Sequence, residues 1–500
     1  MTDELKSMIN IKIIIIMSII GVLNSFFYND FLIMASVVGV EIIWLIWCII
    51  RNDDMEYILW YMVFLAFSLE NASYVGDDAF FGFKNFRILG LNIAVWMLLP
   101  IFFKQIWNGI FDMRYMSNPL RRFDKEVVFI TFSGIFIGLV TYLVNDNELR
   151  YAEGSLQQFI NSVYMFVFVC LEVLTISSVL SKNKEQIIRC KMFCVGMIIA
   201  YSLVCICCIL LGNYGNRGGL PSLQISNLYF LIIPSILLII YDNFIKLDKI
   251  IIFISSIITL VSALIYNSNG KMIILTATAP FIAIMILLKK SKSPKNVLTG
   301  IVIAIVGVMA FMLYIPDFLD QSVLFSAKYQ QFLSMISFWE PGWLSNMESS
   351  PKMRITEFLN IGYELLTKPW YLIEGKGFMG SIQDKLNLFG TVDQFSFSEW
   401  ELFNGAYFQM HESVNQLFLT NGLIGLWFLF NHLFYMIKNI DKSPWLIFGF
   451  LWLLLFYTYS LTISIFGVMT LVVGYLEVDK KSPYITGKGF YKNDYKGIEK

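Results

Sequence analysis

Apolar runs long enough to cross a bilayer recur from one end of this chain to the other, and no other feature restricts its fold so severely. In hydrocarbon every backbone N–H and C=O has to be satisfied within the protein, so such runs fold as helices. Hydropathy places them at 9–27, 31–50, 57–73, 86–103, 127–144, 156–180, 192–211, 225–241, 250–266, 272–288, 297–315, 414–437, 444–459 and 461–476. An all-α polytopic membrane protein of about 14 (12–14) transmembrane helices is therefore expected. With 57% hydrophobic and 15% charged residues over 500 positions, no separate soluble domain is expected. Basic and acidic residues balance at 37 each, and no basic stripe interleaves with aromatics, which argues against a nucleic-acid partner. The first run follows charged residues but precedes no small-residue cleavage site, so it reads as a retained helix rather than a signal peptide.

Charge sets the expected orientation. With the N-terminus inside, 26 of the 37 Lys and Arg residues fall on the cytoplasmic side, while the short outer loops hold only Lys84, Arg87, Arg150, Arg217 and Lys271. Both termini are then cytoplasmic. The chain divides into eleven helices over 1–315, a large external loop over 316–413, C-terminal helices over 414–476 and a basic cytoplasmic tail over 477–500.

A connector as long as 316–413 is rarely structureless, so function is expected there. Ser350 and Pro351 read as an N-cap and first-turn proline. After them Ile355, Phe358, Leu359, Gly362, Leu365 and Leu366 recur at helical spacing, the pattern of an amphipathic helix lying on a membrane surface. It should end at Lys368-Pro369, before a glycine-rich turn from Glu374 to Gly380. A second amphipathic stretch is expected near Val323 to Phe338. None of the seven cysteines lies in this loop, so a disulfide-stapled ectodomain is excluded. Cys190 and Cys194 have helical spacing but no third ligand nearby, and no glycine-rich segment follows a strand as a nucleotide site requires.

His411 to Leu426 begins with a histidine and becomes a membrane helix within one turn. On a continuous helix Asn415 would stack over His411, and Gly422 would return to the same face. His411, followed by Gly422 and Gly425, and Arg354 heading an amphipathic helix before Gly375 and Gly377, in a chain of many helices with one large outer loop, resemble the O-antigen polymerase and ligase superfamily. The likeness runs over roughly the last 300 residues. It departs from the family pattern in two places: Glu412 stands where an Asn usually follows the His, and Ser268 with Lys271 replaces a Ser-Arg pair.

The resemblance implies a membrane glycosyltransferase (GT-C-like) fold and an inverting, metal-independent enzyme without cofactor in the bacterial plasma (inner) membrane. It would join undecaprenyl-diphosphate-linked oligosaccharide repeat units, donor and acceptor, into an O-antigen or capsule at the outer face. A chain-length regulator and a flippase are implied partners alongside membrane lipids. The residues suggest matching chemistry. Forked, charge-assisted hydrogen bonds from arginine suit a departing diphosphate, which assigns Arg217, Arg354 and Lys271 to it beside the turn of Gly375 and Gly377. His411 is the candidate general base, with Asn415 or Glu412 orienting it and Glu348, Glu412 and Glu399 as weaker base candidates. Gly422 and Gly425 are assigned to helix packing.

Other readings remain open at this stage. Arg217 and Lys271 could snorkel to head groups, Arg354 could pair with Glu357 or Glu364 on its own helix, and His411 could bond a loop carbonyl. The aromatic run from Phe395 to Phe408 could stack on sugars or form an interfacial belt. A ligase acting on lipid A core or a cell-wall acceptor breaks the same bond as a polymerase. A flippase or other transporter is the alternative class, but the chain shows no evident repeat and few buried charges beyond Glu41 and Glu172.

Overall fold

The computed structural model describes residues 9–68, 86–110, 119–213, 245–266, 337–389 and 397–479, with short gaps inside these ranges, and the hairpin at 215–222. Long helices follow the apolar runs: α1 (Ile11–Phe26), α2 (Phe31–Ile50), α3 (Asp54–Ala66), α4 (Ile93–Ile110), α5 (Pro119–Leu143), α6 (Ser155–Leu180), α7 (Lys184–Leu210) and α8 (Lys246–Tyr266). The loop region contributes the short α9 (Trp343–Asn346), then α10 (Ser349–Thr367), α11 (Pro369–Glu374) and α12 (Glu399–Asn404). α13 (Ser413–Asn439), α14 (Trp445–Leu451) and α15 (Leu461–Val478) complete the order. Two antiparallel hairpins, β1 (Arg87–Ile88) with β2 (Leu91–Asn92) and β3 (Gly215–Arg217) with β4 (Leu220–Ser222), are the strands among the described residues. The expected spans at 225–241, 272–288 and 297–315, the stretch near 323–338 and the tail beyond 479 lie largely outside the described residues.

Local chemistry explains where helices begin. Asn10, Asp30 and Asp53 each precede an apolar run, and their side chains accept backbone N–H groups three residues on. Three starts differ clearly from expectation. α5 begins at Pro119 instead of 127, over a charged stretch in which Arg122 pairs with Glu126. The helix expected from 86 begins at Ile93, because Arg87 and Ile88 pair with Asn92 and Leu91 in the hairpin first. α7 starts at Lys184 instead of 192, a polar first turn that hydropathy overlooks and that Arg189 ties to Asp53.

Four described helices are long and apolar enough to cross a membrane: Phe31–Ile50, Arg122–Leu143, Glu185–Leu210 and Ser413–Asn439. α7 packs between α1 and α8, and α6 is flanked by α4, α5 and α15. α3 is buried on all sides. α2 and α5 instead turn Leu32, Ile43, Ile50, Phe132 and Phe136 outward, as helices bordered by lipid do.

Ion pairs gather at one end of this bundle. Asp54 binds Lys104 at 2.5 Å and Lys182 at 2.7 Å, Arg189 forks onto Asp53, and Lys191 pairs with Glu477 at 2.9 Å. Glu477 also accepts from Ser443 just beyond the end of α13. His411 stands at the opposite end of α13. Between these ends, His432 is buried with the Tyr475 hydroxyl 2.6 Å from one ring nitrogen and Glu126 2.7 Å from the other.

α13 is not the continuous helix expected over 414–437. Gly422 adopts φ +57°, ψ −142°, and the helix breaks there. A break releases backbone carbonyls that need other donors. The amides of Lys376 and Gly377 supply them, binding Leu419 O at 2.8 Å and Thr420 O at 3.0 Å. The glycine-rich turn thus enters the bundle. Phe378 N–H reaches Gly134 O of α5 at 2.9 Å, and the Phe378 ring lies against Phe166 of α6. Irregular backbone among membrane helices is sustained where protein covers it in this way.

Candidate active site

α10 buries polar residues together with Met353, Ile361 and Leu365, and exposes much of its expected apolar stripe. Thr356, Glu357, Asn360 and Glu364 are buried, whereas Phe358, Leu359, Tyr363 and Leu366 are exposed. Its start differs slightly from expectation. Glu348 is the N-cap and helix begins at Ser349, so Pro351 occupies the third helical position, where its missing N–H is still no loss. The helix ends at Thr367, and Pro369 opens α11 as the sequence suggested.

Three of these buried polar groups, Glu357, Asn360 and Glu364, have partners from later segments, while Thr356 bonds Met353 O within the helix at 2.9 Å. Asn360 donates to Asp384 at 3.0 Å. Glu364 pairs at 3.1 Å with Lys376, whose fully buried ammonium also donates to Ser381 O at 2.7 Å. Burial works against the charge of Glu364, but Lys376, aided by Lys385 and Lys368, holds its carboxyl below the usual carboxylate range. Glu357 receives His411. Its Oε1 lies 2.5 Å from His411 Nδ1, and the His411 backbone N–H points at the same carboxylate, at 3.2 Å to Oε2. Asn415 donates to Glu357 Oε2 at 2.9 Å and to the Arg354 carbonyl at 2.8 Å. Arg354 Nε in turn binds Glu412 at 2.5 Å.

The segment before α13 is braced to hold this geometry. Ser398 and Glu401 form a capping box at α12, and Glu401 then accepts the backbone N–H groups of Phe408 and Gln409, both at 3.0 Å. Gln416 accepts from Met410 N–H at 2.9 Å, and Ile382 exchanges two backbone bonds with Tyr407. Phe397 lies edge-on to the His411 ring at 6.0 Å and packs on Phe389 and Tyr407. These aromatics bury one another, while Phe403 is exposed.

The structure therefore brings His411, Glu412, Asn415 and Arg354 into one cluster and adds Glu357. The orienter of His411 is Glu357, which the sequence offered only as an ion-pair partner for Arg354; Glu412 takes that partnership, and Asn415 acts on Glu357. The arrangement is chemically coherent. Glu357 is fully buried and His411 keeps a 20% exposed side chain. A carboxylate on Nδ1 places the ring proton there and leaves Nε2 as the acceptor.

Gly375 and Gly377 do not form a diphosphate cradle. Their amides go to Tyr371 O and Thr420 O, and a Cβ on Gly377 would sit 1.9 Å from the Gly138 nitrogen. Gly422 serves backbone conformation and the approach of α11, where a Cβ would lie 2.6 Å from Leu372 O, in place of a smooth small-residue stripe. A Cβ on Gly425 would meet Leu417 O at 2.5 Å across the same break. Arg217 stands in β3, but its side chain, and all of Lys271, lie outside the described residues. Among the described residues no group of three or more His, Cys, Asp or Glu side chains is arranged to hold a metal ion.

The missed carboxylate had a signal. Arg354, Glu357, Asn360 and Glu364 recur at the same helical spacing as the apolar stripe, so α10 carries two faces, either of which could be the buried one.

Compared with known proteins, the chain matches no family model, no curated protein and no solved structure.

Proposed function

We propose that this chain is an inverting glycosyltransferase that polymerises undecaprenyl-diphosphate-linked repeat units into a surface polysaccharide at the outer face of the bacterial plasma membrane. The observation that carries the reading is the cluster in which Glu357 holds His411 and Glu412 holds Arg354. It lies where a membrane-spanning helix begins, at the end of the bundle opposite the ionic rim. A lipid diphosphate has its reacting carbon at that depth. The outward Phe358, Leu359 and Leu366 of α10 suit an interface beside it. The wider architecture proposed is a GT-C-like bundle of about fourteen helices with both termini cytoplasmic.

In the reaction His411 Nε2 takes the proton of the acceptor hydroxyl as that oxygen attacks the anomeric carbon of the donor glycan. The bond from that carbon to the diphosphate oxygen breaks with inversion, and undecaprenyl diphosphate leaves. Glu357 stabilises the imidazolium that forms, and Arg354, preorganised by Glu412, stabilises the charge of the leaving group. No metal has a part in this mechanism.

The test is purified protein in proteoliposomes with a lipid-linked repeat unit alone, in the presence of a chelator. A ladder of products establishes polymerisation. No product until a second acceptor is supplied would make the chain a ligase, and a chelator-sensitive ladder would remove the metal-free mechanism.

A further inference from the structure

A second site lies on α1, α2 and α3, none of which contributes a residue to the His411 cluster. α1, α2 and α3 border a half-open cavity of about 520 Å³ whose lining is almost wholly apolar, including Ile20, Trp60 and Phe64. Glu41 and Trp44, one turn apart on α2, both line it. Glu41 is the eleventh of the twenty residues of α2, a helix fit to span the membrane, so it lies about 15 Å from either end. Ser36 also lines the cavity, but its hydroxyl binds Leu32 O at 2.7 Å within the helix. Glu41 is 2% exposed, and neither its carboxyl oxygens nor the indole nitrogen of Trp44 have a hydrogen-bond partner among the described residues.

Buried polar groups in native proteins are satisfied, and an exception calls for an occupant. An unpaired carboxylate is not sustained in hydrocarbon, so the group facing the cavity is a carboxylic acid. Glu41 and Trp44 then bring two donors unpartnered among the described residues, an acid O–H and an indole N–H, to the same apolar lining. The complementary ligand is an acceptor with an apolar body, able to reach the bilayer midplane without a charged head group. Phospholipids fail that last condition, because their heads stay at the interface.

We propose that the cavity between α1, α2 and α3 binds a membrane-dissolved carbonyl compound of the isoprenoid-quinone type, whose carbonyl oxygens accept from Glu41 and Trp44. The volume falls within the range of small-molecule sites and accommodates a substituted ring with the first part of its chain. This site is independent of the glycosyltransferase reading.

The experiment uses the full chain in detergent micelles, with decylubiquinone as the probe and native mass spectrometry as the readout of binding. One molecule should bind per chain. Glu41→Leu should weaken binding at least tenfold and Trp44→Phe by several fold, whereas Glu41→Gln, whose amide still donates, should stay within about threefold of the parent. Thermal stability should be unchanged or raised in Glu41→Leu, since a hydrocarbon replaces an unpaired acid, so lost binding would not reflect unfolding. In membranes, dicyclohexylcarbodiimide, which attacks carboxylic acids in apolar surroundings, should label Glu41, and decylubiquinone should protect it. Failure of the probe to bind, equal binding by Glu41→Leu, or labelling that the quinone does not reduce would each overturn the proposal. Glu41→Gln that binds the probe no better than Glu41→Leu would overturn the donor assignment and point to a proton-handling acid.

Discussion

Replacing Glu357 by glutamine removes one charge from the cluster and almost no volume. The carboxylate lies 2.5 Å from His411 Nδ1, which puts the centres of charge of a protonated imidazole and the carboxylate about 4 Å apart. At the effective dielectric constant of about 20 that describes such sites, the attraction is about 4 kcal/mol. It exists only once His411 has taken the acceptor proton, so its loss falls on the transition state and slows turnover about 10³-fold. The ground state is disturbed less. Glu357 accepts from His411 Nδ1, the His411 backbone and Asn415, and a replacement amide turns one of those contacts into donor against donor, at about 1–3 kcal/mol of stability. The assay is single-turnover glycosyl transfer from a lipid-linked repeat unit, with thermal stability and donor binding measured in parallel. Glu357→Gln should bind donor with near-normal affinity and transfer about 10³-fold more slowly. Turnover within fivefold of the parent in a folded, donor-binding variant would refute the dyad and leave His411 a structural hydrogen-bonder.

Arg354→Lys should lose most activity while membrane insertion stays intact, because an ammonium cannot hold Glu412 and fork onto phosphate oxygens; normal polymerisation would reduce the residue to an ion-pair partner. Gly377→Ala combines φ +76° with a Cβ 1.9 Å from the backbone of Gly138. It should destabilise by roughly 2–5 kcal/mol, read as lost yield of folded protein. The Lys376–Glu364 pair predicts acid sensitivity of α10 and α11. Because the folded Glu364 carboxyl is held below its ordinary value of 4.5, its contribution is complete above that pH and is lost as pH falls through the lower folded value. Hydrogen exchange corrected for intrinsic rates should show α10 opening on acidification, and Glu364→Gln should flatten the dependence. For orientation, cysteine at Ser349 should react with an impermeant thiol reagent from outside in a background lacking native cysteines, and cysteine at Ser293 should not; reversed labelling would place the cluster on the wrong side.

Helix positions were legible because membrane helices announce themselves through length and apolarity alone. The boundaries of α1, α2, α6 and the start of α13 fall within a residue or two of the hydropathy spans. Of the starts that moved, those of α5 and α7 are polar stretches with ion pairs that hydropathy does not count, and that of α4 is displaced by the β1–β2 hairpin. Candidate residues were legible in part for the same reason. His411 and Arg354 are conspicuous where cations and histidines are few, and their residue types suit the chemistry whatever their neighbours.

Their neighbours are a different matter. Composition and periodicity determined that this chain is helical, that it carries helices fit for a membrane, and that its long loop holds an amphipathic helix with a proline at its start. They could not determine which face of α10 turns inward, because both its apolar and its polar stripes have helical spacing. Only packing against the turn before α13 buries Glu357 and joins it to a histidine 54 positions away. Nor does the sequence distinguish a glycine that lets two helices approach from one that breaks a helix. Gly422 does both: α11 lies against it, and the helix breaks there because the amides at 376 and 377, from another segment of the chain, bind the carbonyls that its conformation releases. Spacing along one helix is a local property that sequence carries directly, whereas hydrogen-bond partners between distant segments exist only once the tertiary fold has brought them within reach.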